Sequence, residues 1–209
     1  MTNDFIPSSE LIINADGSIY HLCLKPNEVA PIIFTVGDQD RVQEVTKHFG
    51  SIEFERQSRE FKTVTGRYKG HRMTVISTGI GTDNVDIVLN ELDTLFQIDF
   101  KTRQKKEEQT PLTFIRIGTS GSIQENIPLN SFLASESALA FDGLLPFYND
   151  NFFNKPDNWP ERLSTIAPLV THSYSRFLEN LPKDFAKGIT ATMPGFFAPQ
   201  GRSFRLPSI

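Results

Sequence analysis

Arginines and glycines gather where apolar runs end, and those residue types together suit the recognition of an oxyanion. The runs are PIIFTVGDQDRV (residues 31–42), MTVISTGIGTDN (residues 73–84) and TFIRIGTSGSI (residues 113–123). Each reads as a buried strand that breaks at a glycine turn, and the first two turns lead into helices. Gly37 lets main-chain N–H groups approach an anion closely, and a helix N-terminus adds unpaired N–H groups of its own. Arg41 and Arg116 each bring a planar fork that matches two oxygens at once, which a lysine cannot do. Thr119, in GTSG, adds a hydroxyl and an amide. The chemistry implied is binding of a phosphate-type anion at the carboxyl ends of strands, where open α/β sheets hold their ligands.

The elements that must position these residues follow from periodicity and turn chemistry. Residues 1–20 read as an irregular arm. A strand near residues 32–36 is followed by a helix from Asp38 toward Phe49. Residues 56–65 read as an extended pairing segment. Residues 63–68 and 72–77, joined at Lys69–Gly70, read as a hairpin. Val85, Val88, Leu89, Leu92 and Leu95 predict a helix over about residues 84–96. The charge run KTRQKKEEQT (residues 101–110) has no apolar period and reads as a solvated loop. Strands are expected at 114–117, 132–140 and 188–192, a surface loop at 150–160 and a helix over 162–181.

Bulk properties narrow the classes. With 209 residues, 38% hydrophobic and 22% charged, the chain suits a single globular domain with a real core. A net charge of −4 offers no general basic surface for nucleic acid. A single cysteine, Cys23, rules out an internal disulfide framework and fits a reducing compartment. The N-terminus MTNDFIPSSE lacks the features of a secretory signal, and no apolar run approaches the ~20 residues that span a bilayer. The expectation is a cytoplasmic protein that binds neither nucleic acid nor membrane.

Taken in order, HLCL (21–24), VGDQDRV (36–42), SREF (58–61), STGIG (77–81), RIGTSGSI (116–123), FDG (141–143) and FFAPQGR (196–202) give the chain a family likeness. It resembles the nucleoside phosphorylases of the trimeric/hexameric class, and among them the uridine phosphorylases. The resemblance implies a three-layer α/β fold, a mixed central sheet flanked by helices, truncated at the C-terminus. It divides the chain into an arm (1–20) and a phosphorylase domain (21–209). It also implies self-association as a dimer within a hexamer, with active sites built across the dimer interface. The implied reaction is reversible phosphorolysis of a nucleoside to free base and pentose 1-phosphate, with inorganic phosphate as co-substrate and no organic cofactor.

The resemblance assigns roles residue by residue. Gly37, Arg41, Arg116 and Thr119 hold phosphate, and Arg59 reaches into the neighbouring subunit's phosphate site. Arg41, Arg116 and Thr119 are the expected catalytic set. His21 crosses the interface to the 5′-hydroxyl of the pentose, which Thr119 also contacts. Phe196 stacks on the base, an interaction worth about 1–3 kcal/mol. Gln200 presents a donor and an acceptor side by side to the O2 and N3–H edge of uracil, and Arg202 donates to O4. Glu60, Ile80 and Asn84 match positions where some relatives place a monovalent cation such as K+ between subunits.

The chain departs from the family pattern at three places. Cys23 stands where HLGL has glycine. VGDQDR replaces PGDPxR, so Val36 and Gln39 stand at the two proline positions. The family's continuation beyond the base loop, with a Met–Glu pair for the ribose 2′- and 3′-hydroxyls and a closing strand and helix, is missing from these 209 residues. Two explanations are open: a piece of a longer protein or a degenerate member. A pyrimidine nucleoside phosphorylase is therefore the main expectation. A purine phosphorylase or water-using nucleosidase, and a silent phosphate-binding subunit, are the alternatives.

Overall fold

The computed structural model describes residues 5–148, 169–171 and 178–206. The chain divides into two compact units, Met1–Thr119 and Ser120–Ile209. In the first, β1 (Ile32–Val36), α1 (Gln39–Thr46), β2 (Ser51–Ser58), β3 (Phe61–Tyr68), β4 (His71–Ser77), α2 (Thr82–Gln97), β5 (Ile98–Asp99), β6 (Gln104–Lys105) and β7 (Thr113–Arg116) follow in order. Five of the strands form a mixed sheet in the order β2-β3-β4-β1-β7. Strand β1 lies parallel to β4 and to β7, and β2, β3 and β4 form an antiparallel meander.

Alternation along the central strands divides the core between the two faces of the sheet. Ile33 of β1, Phe61 of β3 and Ile76 of β4 pack with Val88, Leu92 and Leu95 of α2, all essentially buried. The neighbouring strand positions Val36, Val64 and Val75 pack with Val42 of α1. The spacing of Val88, Leu92 and Leu95 is one helical stripe, so burying it fixes how α2 lies on the sheet. At the turn between β3 and β4, Lys69 and Gly70 have φ of 48° and 84°, the pair of positive values that a two-residue hairpin turn requires.

Two expectations about the first unit need revision. The extended segment 56–65 is two strands, because the chain reverses at Arg59 and Glu60 between β2 and β3. The charge run at 101–110 is not merely a solvated loop. Gln104–Lys105 pairs with β5, the Arg103 guanidinium donates to the main-chain oxygens of Ile6 (2.8 Å) and Leu11, and Lys106 Nζ donates to that of Phe96 (2.6 Å). These cations satisfy carbonyls that no regular element pairs, so hydrogen bonding supplies what apolar periodicity lacks. Residues 5–20 hold little regular structure, yet Leu11 and Ile19 enter the α2-side core, so that segment is packed.

In the second unit β8 (Leu133–Ala140), β9 (Leu169–Thr171) and β10 (Ala186–Thr192) form a sheet in the order β10-β8-β9. Strand β10 runs parallel to β8, and β9 antiparallel to it. Of the helix expected over 162–181, the described residues are helical at residues 178–179 and a strand at Leu169–Thr171. Pairing with β8 outweighs local propensity there. The loop expected at 150–160 lies outside the described residues. No helix among the described residues is long and apolar enough to cross a membrane.

Gly66 marks the tightest backbone approach in the first sheet. A Cβ there would lie 2.3 Å from the Ser51 oxygen and 2.7 Å from Cδ2 of Phe49, beside an irregularity in the β2–β3 register at Ile52–Phe54. Gly66→Ala is expected to cost about 1–3 kcal/mol through overpacking. Urea unfolding measures this as a lower midpoint, and an unchanged midpoint would contradict the packing.

Candidate functional site

Parallel pairing brings the three glycine turns of the first unit to one edge of the sheet. Val36 is registered with Ser77 and Thr35 with Arg116, so β1, β4 and β7 end together. Beyond their ends the turns are tied to one another. The Thr78 amide donates to the Val36 oxygen (2.7 Å), and the Ile117 amide donates to the Thr35 oxygen (2.9 Å). Helix α1 starts in the first turn, capped by Asp38, whose carboxylate accepts from the Asp40 amide. Arg41 stands in its first turn.

Arg116 crosses toward the first turn. A methyl group added at Gly37 would lie 3.8 Å from Arg116 Nη2, and one at Gly118 would lie 3.7 Å from Nε. Arg116 remains exposed, yet partial desolvation by the surrounding turns, and after it the positive charge of Arg41, hold its guanidinium below its ordinary pKa. Both causes disfavour the charged form, and an anion between the two guanidiniums reverses the second. No carboxylate among the described residues forms an ion pair with either arginine. Thr119 lies exposed three residues beyond Arg116, on the loop that Gly118 opens. Gly37, Arg41 and Arg116 are thus brought together, with Thr119 on the adjoining loop.

A second cluster joins the two residues expected to serve a neighbouring copy. The Tyr20 and His21 ring centroids are 4.7 Å apart, edge to face, and the Arg59 guanidinium lies 5.7 Å from the Tyr20 ring. Ser58 Oγ donates to the His21 oxygen at 2.7 Å. Cys23 adopts φ of 52°, which explains why glycine suits this position in the family pattern. Its Sγ accepts from Ser58 Oγ at 3.4 Å.

Two further residues act here, Gln39, noted in the sequence only as a departure from the family's proline, and Glu91, to which neither the motifs nor the resemblance gives a role. Gln39 Nε2 donates to the Arg59 oxygen at 3.0 Å, and Gln39 Oε1 accepts from Gln57 at 2.9 Å. A side chain at the family's proline position thereby ties the first glycine turn to the Arg59 turn. Glu91 of α2 meets His21 at 2.5 Å. The sequence does hold a signal for Glu91, a carboxylate between Val88 and Leu92 at the edge of the buried stripe.

Glu60, Ile80 and Asn84 also converge. Asn84 Nδ2 donates to the Ile80 oxygen at 3.1 Å. A Cβ on Gly79, which has φ of 71°, would lie 2.7 Å from Asn84 Nδ2 and 2.9 Å from Glu60 Cγ. Among the described residues no group of three or more His, Cys, Asp or Glu side chains is placed to hold a metal ion.

Phe196, Gln200 and Arg202 share one loop of the second unit, around the short 3-10 turn Ala198–Gln200. The Arg202 guanidinium lies 4.2 Å from the Phe196 ring centroid and donates to the Phe196 oxygen (2.7 Å) and to Gln200 Oε1. Gln200 Nε2 donates to the Gly195 oxygen at 3.1 Å. The loop satisfies its own polar groups, and a ring stacking on the Arg202 side of Phe196 must displace that guanidinium.

With this geometry in view, the class is clear. The family model of the phosphorylase superfamily matches residues 31–207, and the chain belongs to that superfamily. It is 29% identical over 203 residues to the uridine phosphorylase of Thermococcus kodakarensis, covering 97% of this chain and 64% of the relative. It is 28% identical over 127 residues to the DeoD-type purine nucleoside phosphorylase of Lactococcus lactis, covering 60% of this chain and 48% of the relative. The chain therefore spans less than two thirds of either relative. Among solved structures it is similar to a Trypanosoma brucei nucleoside phosphorylase described as showing uridine phosphorylase activity. That match has a TM-score of 0.81 and 28% identity, and covers 94% of this chain and 72% of that one.

The arginine pair yields a prediction whose two parts separate function from stability. In phosphate-free buffer Arg116→Met is expected to be no less stable than the parent, because it removes a partly desolvated charge facing Arg41. Phosphate at a hundred times its Kd should stabilise the parent by about 2.7 kcal/mol, and should leave the variant unmoved. Thermal unfolding with and without phosphate measures both, and an equal phosphate increment in the variant would remove Arg116 from the anion site.

Proposed function

We propose that the protein containing this chain is a pyrimidine nucleoside phosphorylase that converts uridine and phosphate reversibly to uracil and ribose 1-phosphate. The observation carrying this reading is the convergence of Arg41 and Arg116 on the Gly37 turn with no carboxylate partner among the described residues. Two guanidiniums held together at the ends of parallel strands suit a dianion better than a monoanion or water. The pyrimidine preference is supported by Phe196, Gln200 and Arg202 on one loop, an aromatic face beside an amide fork and a cation.

In this mechanism Arg41, Arg116 and Thr119, with the Gly37 turn, hold phosphate below C1′ of the sugar. A phosphate oxygen forms a bond to C1′ as the C1′–N1 bond breaks, and the electron pair leaves with the base. The proton of monohydrogen phosphate ends on the departing uracil. Negative charge on phosphate offsets the positive charge that develops on the ribose. Gln200 and Arg202 stabilise the uracil anion. His21 and Arg59, both beside the Tyr20 ring, serve the site of a second copy, His21 at the 5′-hydroxyl and Arg59 at phosphate. Positioning and electrostatics supply the catalysis.

The test is release of free base from uridine and from inosine, each with and without phosphate. Uracil released only with phosphate is the expected result. Release without phosphate would overturn phosphorolysis, and preferential release of hypoxanthine would overturn the pyrimidine assignment. Binding of phosphate with no release from either nucleoside would make the chain a phosphate-binding subunit.

A further inference from the structure

Glu91 is a heavily engaged carboxylate, and its contacts converge on His21. Its Oε1 meets His21 Nδ1 at 2.5 Å and accepts from the His21 amide at 3.0 Å. Its Oε2 accepts from the His21 amide at 3.1 Å and from the Leu22 amide at 2.9 Å. The Glu91 side chain is 13% exposed and that of His21 29%, so the carboxylate lies mostly inside while part of the ring remains reachable. With Ile12, Tyr20 and Asn90, the pair lines a concavity of about 140 Å³.

An ionised carboxylate only accepts hydrogen bonds, so a ring nitrogen facing it carries a hydrogen. The backbone amides of His21 and Leu22 fix the carboxylate, and the carboxylate in turn fixes the ring. Glu91 also comes from a different element, α2, whose buried stripe sets its height on the sheet. Packing of Val88 and Leu92 therefore sets the orientation of an imidazole 70 residues away in sequence.

We propose that Glu91 is the positioning residue of His21: it holds the hydrogen on Nδ1, so that in the neutral ring Nε2 is presented bare, as an acceptor for a sugar hydroxyl. The hydroxyl part of this inference rests on the reading of His21 given above. A bare Nε2 takes a hydrogen bond from a 5′-hydroxyl and has none to give to a 5′-substituent that only accepts.

The decisive measurement is the nitrogen-15 NMR spectrum of the imidazoles in the purified 209-residue chain at about pH 8, where an ordinary imidazole is neutral. His21 is identified by the loss of its signals in His21→Ala. The expected spectrum of the parent shows the hydrogen on Nδ1. In Glu91→Gln the amide oxygen is expected to keep the backbone N–H groups while its NH2 donates to Nδ1, which moves the hydrogen to Nε2. A parent spectrum with Nδ1 bare overturns the proposal without recourse to any variant, as does a Glu91→Gln spectrum identical to the parent's.

The sugar consequence is read separately, as the rate with uridine relative to 5′-deoxyuridine in the active assembly. That ratio is expected to fall about tenfold in His21→Ala, the worth of one hydrogen bond; a hydroxyl both donates and accepts, so the hydrogen's place on the ring is read from the spectrum and not from this ratio. An unchanged ratio in His21→Ala overturns the sugar role of His21 itself, and the hydroxyl part of the proposal falls with it.

Discussion

The parallel pairing of β1 with β4 and β7 is the constraint on which the first unit's chemistry depends. Parallel strands end at the same edge, and here the registers Val36↔Ser77 and Thr35↔Arg116 place three glycine turns side by side. Parallel strands also need crossovers, and both faces of such a sheet must be covered. Helix α1 and the α2-side core meet that demand, and each helix begins in one of the turns. The arrangement that buries Ile33, Val75 and Ile76 therefore also delivers Arg41 and Arg116 to one place. A slip of one residue along β7 would turn Arg116 to the opposite face of the sheet.

Polar clusters built on this frame differ in how their charge is compensated. Arg41 and Arg116 oppose one another, and partial desolvation adds to the cost of charging the exposed Arg116. Glu91 is the reverse case: three N–H contacts and an imidazole surround a mostly buried carboxylate, so the cluster is satisfied within the chain. A self-opposed pair is suited to binding an anion, and a self-satisfied pair to holding a ring still. The loop bearing Phe196, Gln200 and Arg202 is also self-satisfied, but through exposed side chains that solvent can release at modest cost.

Departures from the family pattern acquire physical meaning from their surroundings. Gln39 supplies a hydrogen-bonded tie to the Arg59 turn where relatives have the stiffness of proline, so a side-chain link stands in place of a backbone restraint. Cys23 accepts a left-handed backbone at a position where glycine would carry no steric penalty, and its sulfur rests against Ser58. Both substitutions lie beside residues of the proposed site, and both leave its charged groups in place.

Much of this was legible in the chain alone because the signals were local. Apolar runs ending in glycine placed β1, β4 and β7, the Val88–Leu92–Leu95 stripe placed α2, and Lys69–Gly70 placed the hairpin turn. The residue types in those turns pointed to an anion. The parts that were not legible depend on partners distant in sequence. The charge run at 101–110 looked solvated because its partners, the oxygens of Ile6, Leu11 and Phe96, belong to other segments. The strand at 169–171 is specified by its pairing with β8. A single glutamine or glutamate has many uses, and only the fold puts Gln39 beside the Arg59 turn and Glu91 against His21. Periodicity and residue type are enough to set most of the first unit's elements, its glycine turns and the cationic character of the proposed anion site. The tertiary structure decided which polar groups are paired and which oppose one another, because hydrogen-bond partners and burial exist only once distant segments meet.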